Sequence, residues 1–239
     1  MANVKKIKPK LCIVIPAFNE ESAIVNVISG VNNIFKNSSY QYEIVVINDA
    51  SNDKTSDISK KCGATIIDHI LNTGAGGATA TGLSYAERND FDFAATMDAD
   101  GQHSPDDVLN GVNEIVKRKK DLLIGSRLID KDGMPATKII GNKGLSLITY
   151  LLFGIKSTDS QSGLRIFSRA SLEKLRWRTS GYEFCSEMLW RAKQLDLSMD
   201  EYPIKAIYTE YSKSKGQSNW NAVNIIKSLL KRRIVELLG

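Results

Sequence analysis

The stretch "LCIVIPAFNEESAIVNVISGVNNIF" (residues 11–35) decides the fold class. Its first five residues form a continuous apolar run, as a short strand buried on both faces requires. From there Ile24, Val27, Ile28, Val31, Ile34 and Phe35 recur at helical spacing, so a helix over 20–35 follows the strand. The alternation then repeats. "YEIVVI" (42–47) reads as a second buried strand, the turn "NDASNDKT" leads into a short helix ending near Cys62, and "ATIID" (64–68) is a third strand. A glycine-rich loop, "NTGAGGATATG" (72–82), opens a helix to about Asn89, and "DFAATM" (92–97) is a fourth strand. Strands alternating with helices in this way predict a single α/β, Rossmann-like domain, its mostly parallel central sheet covered by helices on both faces.

The second half is less regular. Expected there are a helix over 105–119, a strand over 122–126, an apolar helix over 139–153, a strand over 164–168, a helix over 182–195 and a strand over 199–208. The chain of 239 residues fits one such domain at 11–210, with a basic arm at 1–10 and a basic loop and amphipathic helix at 211–239.

Composition narrows the function classes. With 42% hydrophobic and 25% charged residues the chain has ordinary globular values, and its longest apolar stretch, "LSLITYLLFGI" (145–155), falls short of the ~20 residues of a membrane span. "MANVKKIKPK" lacks a signal-peptide apolar region, so a cytoplasmic location is expected. Cys12, Cys62 and Cys185 are scattered and suit free thiols, and His69 and His103 read as loop residues rather than ligands. The net charge of +5 sits at the ends: residues 1–10 carry four Lys, and residues 211–239 carry six Lys or Arg against Glu236. Basic ends on an acidic body suit an anionic membrane surface or phosphate-rich ligands, and argue against a nucleic-acid binder.

In an open parallel sheet, ligands bind beyond the carboxyl ends of the strands. "PAFNE" (16–20), "NDAS" (48–51), "NTGAGG" (72–77) and "DADGQ" (98–102) all follow strands and so belong to one rim. There is no G-x-G-x-x-G, and Leu83 stands where a phosphate-binding P-loop needs Lys, so phosphate must be held otherwise. Asp98 and Asp100, two residues apart at a strand end, aim their carboxylates the same way. With Gln102 they form an all-oxygen set suited to Mg²⁺ or Mn²⁺, ions that commonly join carboxylates to a substrate diphosphate.

The ordered set "IPAFNE", "VINDASNDKT", "NTGAGGA", "MDADGQHSPDD", "GSR" and "DSQSGLRIFSR" resembles the GT-A glycosyltransferases of family 2, and most of all their dolichol-phosphate mannose and glucose synthase branch. The likeness runs from about residue 11 to residue 219. It implies a GT-A fold and transfer of a sugar, with inversion, from a UDP- or GDP-hexose to a polyprenyl (undecaprenyl or dolichyl) phosphate, at the inner face of the cytoplasmic membrane. Carried onto this chain, it implies that Pro16, Ala17, Phe18, Asn19, Glu20, Asp49 and Asn72 meet the nucleotide, that Asp98 meets the ribose or metal, and that Asp100 with Gln102 holds the metal. Arg127 and Arg165 correspond to the family's cationic partners for phosphate, and Lys213 or Lys215 stands in for its last basic motif. A homo-oligomer or a membrane-protein partner stays open.

The acceptor depends on a general base. A sugar hydroxyl needs a carboxylate within hydrogen-bond reach, whereas a phosphate monoester is already ionised at pH 7. Glu187 in "GYEFCSEMLW" is the candidate base, so the alternative function is extension of a cell-surface saccharide. A sugar-phosphate nucleotidyltransferase is a more distant alternative, because "PAFNE" replaces the glycine-rich, Arg-containing opening loop of that class. In 221–239, Ala222, Ile225, Ile226, Leu229, Leu230 and Leu237 share one helical side, interrupted by Arg233, and this face is expected to lie on a membrane.

Overall fold

The computed structural model describes residues 8–130, 134, 136–207 and 226–230. Strands β1 (Lys10–Ala17), β2 (Gln41–Asn48), β3 (Thr65–Asp68) and β4 (Phe93–Thr96) alternate with helices α1 (Ile24–Phe35), α2 (Thr55–Lys61) and α3 (Gly74–Arg88). Then come α4 (Pro105–Arg118), β5 (Leu122–Ser126), α5 (Ala136–Phe153), β6 (Arg165–Ser168), α6 (Arg169–Lys174), α7 (Phe184–Gln194) and β7 (Met199–Pro203). The strands form one sheet in the order β3-β2-β1-β4-β6-β5-β7. Every neighbouring pair is parallel except those made by β6, which runs against both β4 and β5.

The two-residue period of the strands divides the core. Leu11, Ile13 and Ile15 of β1 pack with Ile24, Ile28, Val108 and Val112 of α1 and α4. Cys12 and Val14 face the other way, toward Leu83 and Ala86 of α3 and Met188 and Leu189 of α7. Helices therefore cover both faces, as the buried apolar strands demand.

Three expectations change. The glycine-rich segment is mostly helix, since α3 begins at Gly74. Its glycines serve close packing: a Cβ on Gly82 would lie 2.1 Å from Val14 Cγ1, and one on Gly76 would lie 2.6 Å from the Thr179 carbonyl oxygen. The expected strand over 199–208 ends at Pro203, after which His103 and Ala206 make an isolated bridge. Helix α6 was not foreseen; Ser168 caps it by accepting the Ser171 N–H.

No helix among the described residues is long and apolar enough to cross a membrane. Most of the amphipathic C-terminal segment lies outside the described residues. Its residues 226–230 are helical, with Leu229 packed in the protein core and Leu230 exposed. Leu229 is therefore withdrawn from the expected membrane face.

Candidate active site

β1, β2, β4 and β5 share one direction, so their carboxyl ends form one rim. Antiparallel β6 starts at that rim and brings the segment 159–163 with it. Connections leave β1 toward β2 on one side while β4 lies on the other, the arrangement that opens a ligand crevice.

On one side of the crevice the loops after β1 and β2 are tied together. The Asn19 N–H donates to Ser51 Oγ (2.9 Å), the Asn52 N–H to Asn19 Oδ1 (2.8 Å) and the Glu20 N–H to Thr55 Oγ1 (2.8 Å). Asn19 and Ala50 hold left-handed backbone (φ 55 and 61), the bend that lets the two loops meet. Pro16 and Ala17 end β1, with Ala17 buried, whereas Phe18 presents an exposed ring.

Asp49 is buried and anchors the start of α3. Its Oδ1 accepts from the Thr73 N–H (2.8 Å) and the Thr73 hydroxyl (2.8 Å) and lies 2.7 Å from His69 Nδ1. Its Oδ2 accepts from the Gly74 N–H (2.7 Å). Burial pushes this carboxyl up, but the bonds from Thr73, His69 and Gly74 outweigh it and leave the pKa below the usual range. Asn72 joins the same knot, donating to the Asp49 carbonyl (3.2 Å). His69, read from sequence as a loop residue, orients this carboxylate and reaches Thr81 Oγ1 through Nε2 (3.0 Å).

At the centre, the Asp98 side chain is 51% exposed although protein surrounds it, so it sits on the floor of an open crevice. Burial raises its pKa, and the Arg127 charge offsets this only in part. Asp100 is raised by burial and then by the charge of Asp98, against hydrogen bonds from Gln102. Gly101, at φ +78, makes the turn that returns Gln102 to Asp100: the Gln102 N–H donates to Oδ1 (2.9 Å) and its amide to Oδ2. Two close carboxylates destabilise each other's charge, and a cation would relieve both. Two carboxylates and an amide oxygen fit a hard divalent ion. Among the described residues no cluster of three or more His, Cys, Asp or Glu side chains is gathered for a metal, so water and substrate oxygens would complete the shell.

Two residues flank Asp98 that sequence reasoning did not assign. His103 is buried, and its Nδ1 accepts the Asp98 N–H (3.1 Å), which puts the ring proton on Nε2. Burial and the nearby Arg127 charge lower its pKa to about 4, so it is neutral at pH 7. Gly163 lies against the other side, where a Cβ would fall 2.4 Å from Asp98 Oδ1. Thr96 Oγ1 holds the Gly163 carbonyl (2.7 Å).

The third wall is an ion pair. Arg127 Nε and Nη2 donate to the two oxygens of Asp159 (2.7 and 2.9 Å), and the Arg127 N–H donates to Oδ2 (3.2 Å). Asp159 opens the motif "DSQSGLR", and an acid at the head of a motif ending in Arg was the signal that could have found it. Arg165 departs from expectation. It is 1% exposed, and its donors go to the carbonyls of Ser162 (3.1 Å) and Ser160 (2.9 Å) and to Met188 Sδ (2.9 Å). A guanidinium so placed holds the 159–163 segment from beneath and does not reach a phosphate in the crevice.

Glu187 also departs from expectation. It is 1% exposed and accepts from the N–H groups of Arg178 (3.2 Å) and Thr179 (2.8 Å) and from the Thr179 hydroxyl (2.7 Å). It fixes the backbone before α7 and has no access to an acceptor hydroxyl. Lys213 and Lys215 lie outside the described residues.

Comparison with known proteins identifies the family and the fold. The chain is 43% identical over 232 residues to an uncharacterized protein of Methanocaldococcus jannaschii, covering 95% of this chain and 93% of the relative. It is 41% identical over 249 residues to a UDP-N-acetylglucosamine–dolichyl-phosphate N-acetylglucosaminyltransferase of Methanococcus voltae, covering 95% and 97%. A crystal structure of glucosyl-3-phosphoglycerate synthase from Mycobacterium tuberculosis, in complex with Mn²⁺, UDP and glucosyl-3-phosphoglycerate, superposes with a TM-score of 0.70 at 18% identity, over 94% of this chain and 80% of that one. That likeness establishes the shared fold. The family model for glycosyl transferase family 2 matches residues 12–176, and the chain belongs to that family.

Proposed function

We propose that the protein transfers a sugar from a UDP-sugar, N-acetylglucosamine in the first instance, to a polyprenyl phosphate with inversion at the anomeric carbon. The observation that carries this reading over saccharide extension is the burial of Glu187, whose carboxylate is consumed by the 178–179 backbone. A hydroxyl acceptor needs a base there, and a phosphate monoester does not. Near-full-length similarity to a dolichyl-phosphate N-acetylglucosaminyltransferase supports the same acceptor class and suggests the donor.

The chain's own residues then divide the work. Phe18 offers an aromatic face to the base, and the joined loops after β1 and β2 fix where that face points. Asp98, Asp100 and Gln102 would hold Mg²⁺ or Mn²⁺, which when bound neutralises charge growing on the leaving diphosphate. Asp159 holds Arg127 by two hydrogen bonds so that its positive charge faces the crevice without a search through rotamers. In the transfer, an ionised phosphate oxygen of the acceptor bonds to the anomeric carbon as the bond to the diphosphate oxygen breaks. UDP leaves with the electron pair, and no proton need move.

The test is to incubate the purified protein and MnCl₂ or MgCl₂ with UDP-N-acetylglucosamine, UDP-glucose or GDP-mannose, and with a short prenyl phosphate, the matching prenyl alcohol or a free saccharide as acceptor. Product is expected with the phosphate and UDP-N-acetylglucosamine. Transfer to the alcohol or to a free saccharide, with none to the phosphate, would overturn the reading.

A further inference from the structure

Helix α5 has a face that the core does not use. Leu145, Ser146, Thr149 and Phe153 turn inward, while Ile140, Leu147 and Leu151 are 71%, 56% and 70% exposed on the outer side. Beside this face is a cavity of about 550 Å³ lined by Leu128, Lys143, Leu147, Tyr150, Lys156 and Thr158 among others, a size usual for sites that take small apolar ligands. From residue 136 to residue 158 the chain carries Lys138, Lys143 and Lys156 and no acid. Among the described residues the one carboxylate on the cavity wall, Glu201, is occupied by the Ser157 hydroxyl (2.7 Å) and by the Thr158 N–H (2.8 Å) and hydroxyl (2.6 Å).

The cavity is joined to the crevice through its walls. Leu128 follows Arg127 and Thr158 precedes Asp159 in the chain, so the ion pair and the cavity share a partition. Behind α5, Ser146 Oγ accepts the Ser160 N–H (3.0 Å), and Thr149 Oγ1 lies 2.9 Å from Ser186 Oγ. These buried hydroxyls lock the helix to the 159–163 segment through Ser146 and to α7 through Thr149, so the groove keeps a fixed position relative to Arg127 and Asp98.

We propose that this groove seats the first isoprene units of the lipid acceptor, with Lys143 and Lys156 on its rim drawing in the phosphate end. The inference rests on the polyprenyl phosphate reading above and adds the place of the chain. An apolar tail with an anionic head matches an apolar trough with a cationic rim, which neither a saccharide nor a second polar ligand would need.

The test uses Leu147→Asp and Lys143→Glu, both at exposed positions where substitution leaves the fold intact, with dansyl-labelled farnesyl phosphate as the binding probe and UDP-N-acetylglucosamine turnover as a second readout. Wild type is expected to bind the probe, and Leu147→Asp to weaken binding and raise the acceptor KM about 10- to 100-fold, the worth of one buried leucine. Affinity for Mn²⁺–UDP should not change. Unchanged probe binding in Leu147→Asp overturns the groove, even where transfer proceeds. Probe binding lost in Leu147→Asp without transfer by the wild type upholds the groove and overturns the function. Loss of anionic-vesicle binding in Leu147→Asp with farnesyl phosphate binding intact would assign the face to the bilayer instead.

Discussion

Gly163→Ala should disable the site while leaving the fold standing. The added Cβ would lie 2.4 Å from Asp98 Oδ1 and 2.8 Å from Oδ2, where ordinary contact begins at 3.4 Å. One of the two must give by about 1 Å. Gly163 is pinned, because its carbonyl is held by Thr96 and Arg165 grips the Ser162 carbonyl beside it. Asp98 faces the open crevice, so its side chain is the part that moves. The backbone at Gly163 is outside the left-handed region, so alanine adds no strain there and restricts the unfolded chain by about 0.4–1 kcal/mol. Thermal stability is therefore expected to hold or rise slightly. A displacement of about 1 Å in a group that positions reacting atoms costs on the order of 10²-fold in rate. Initial rates over a Mn²⁺ titration should show an approximately 10²-fold lower kcat/KM and a higher metal requirement, with an unchanged melting curve. Wild-type activity and metal dependence in Gly163→Ala would refute the reasoning, and a collapse in melting temperature would show that the backbone yields instead of Asp98.

Asp100→Asn removes one carboxylate from the crevice floor and is expected to abolish transfer with an unaltered circular dichroism spectrum; near-normal turnover, or wild-type activity unaffected by EDTA, would remove the metal role. Glu187→Gln breaks a buried hydrogen-bonded charge and should cost about 1–3 kcal/mol in urea unfolding, with the pH dependence of kcat unchanged, whereas a loss of the acidic limb of activity, where a base becomes protonated, would restore Glu187 as a base. The lowered pKa of Asp49 means that its contribution to stability is complete above the usual aspartate pKa of about 4 and is lost as pH falls through the folded-state value. Chemical unfolding should therefore show wild type losing its advantage over Asp49→Asn in that acidic range, and a constant difference down to pH 2 would contradict the bonding described for Asp49.

The β-α order of the first hundred residues was legible because its cause is local: five-residue apolar runs and helical spacing follow from burial on two faces and one face respectively. Asp98, Asp100 and Gln102 do lie together just beyond β4, but strand alternation is not what gathers them: β4 ends at Thr96, and the turn at Gly101 returns Gln102 to Asp100. Glycines 74 to 82 misled because glycine signals both loops and close packing, and only the contact of Gly82 with Val14 distinguishes them. Arg165 and Glu187 misled because a charged residue reads as a surface or ligand group until its partners are known. Those partners, the Ser160 and Ser162 carbonyls and the 178–179 backbone, belong to irregular segments without periodicity.

The reversal of β6 gives the buried Arg165 its role. A seventh parallel strand would enter from the far edge and leave only its end at the rim. Entering from the rim, β6 instead delivers five consecutive residues, 159–163, across the mouth of the crevice, where Asp159 meets Arg127 and Gly163 meets Asp98. A segment of that kind has no ladder to hold it, and its carbonyls would be stranded without donors. Arg165, the first residue of β6, supplies donors to two of them from below, while Ser146 of α5 supports Ser160 from the side. The desolvated guanidinium is costly on its own account. It lowers the cost of a crossing loop that regular secondary structure could not have placed between the cation and the carboxylates.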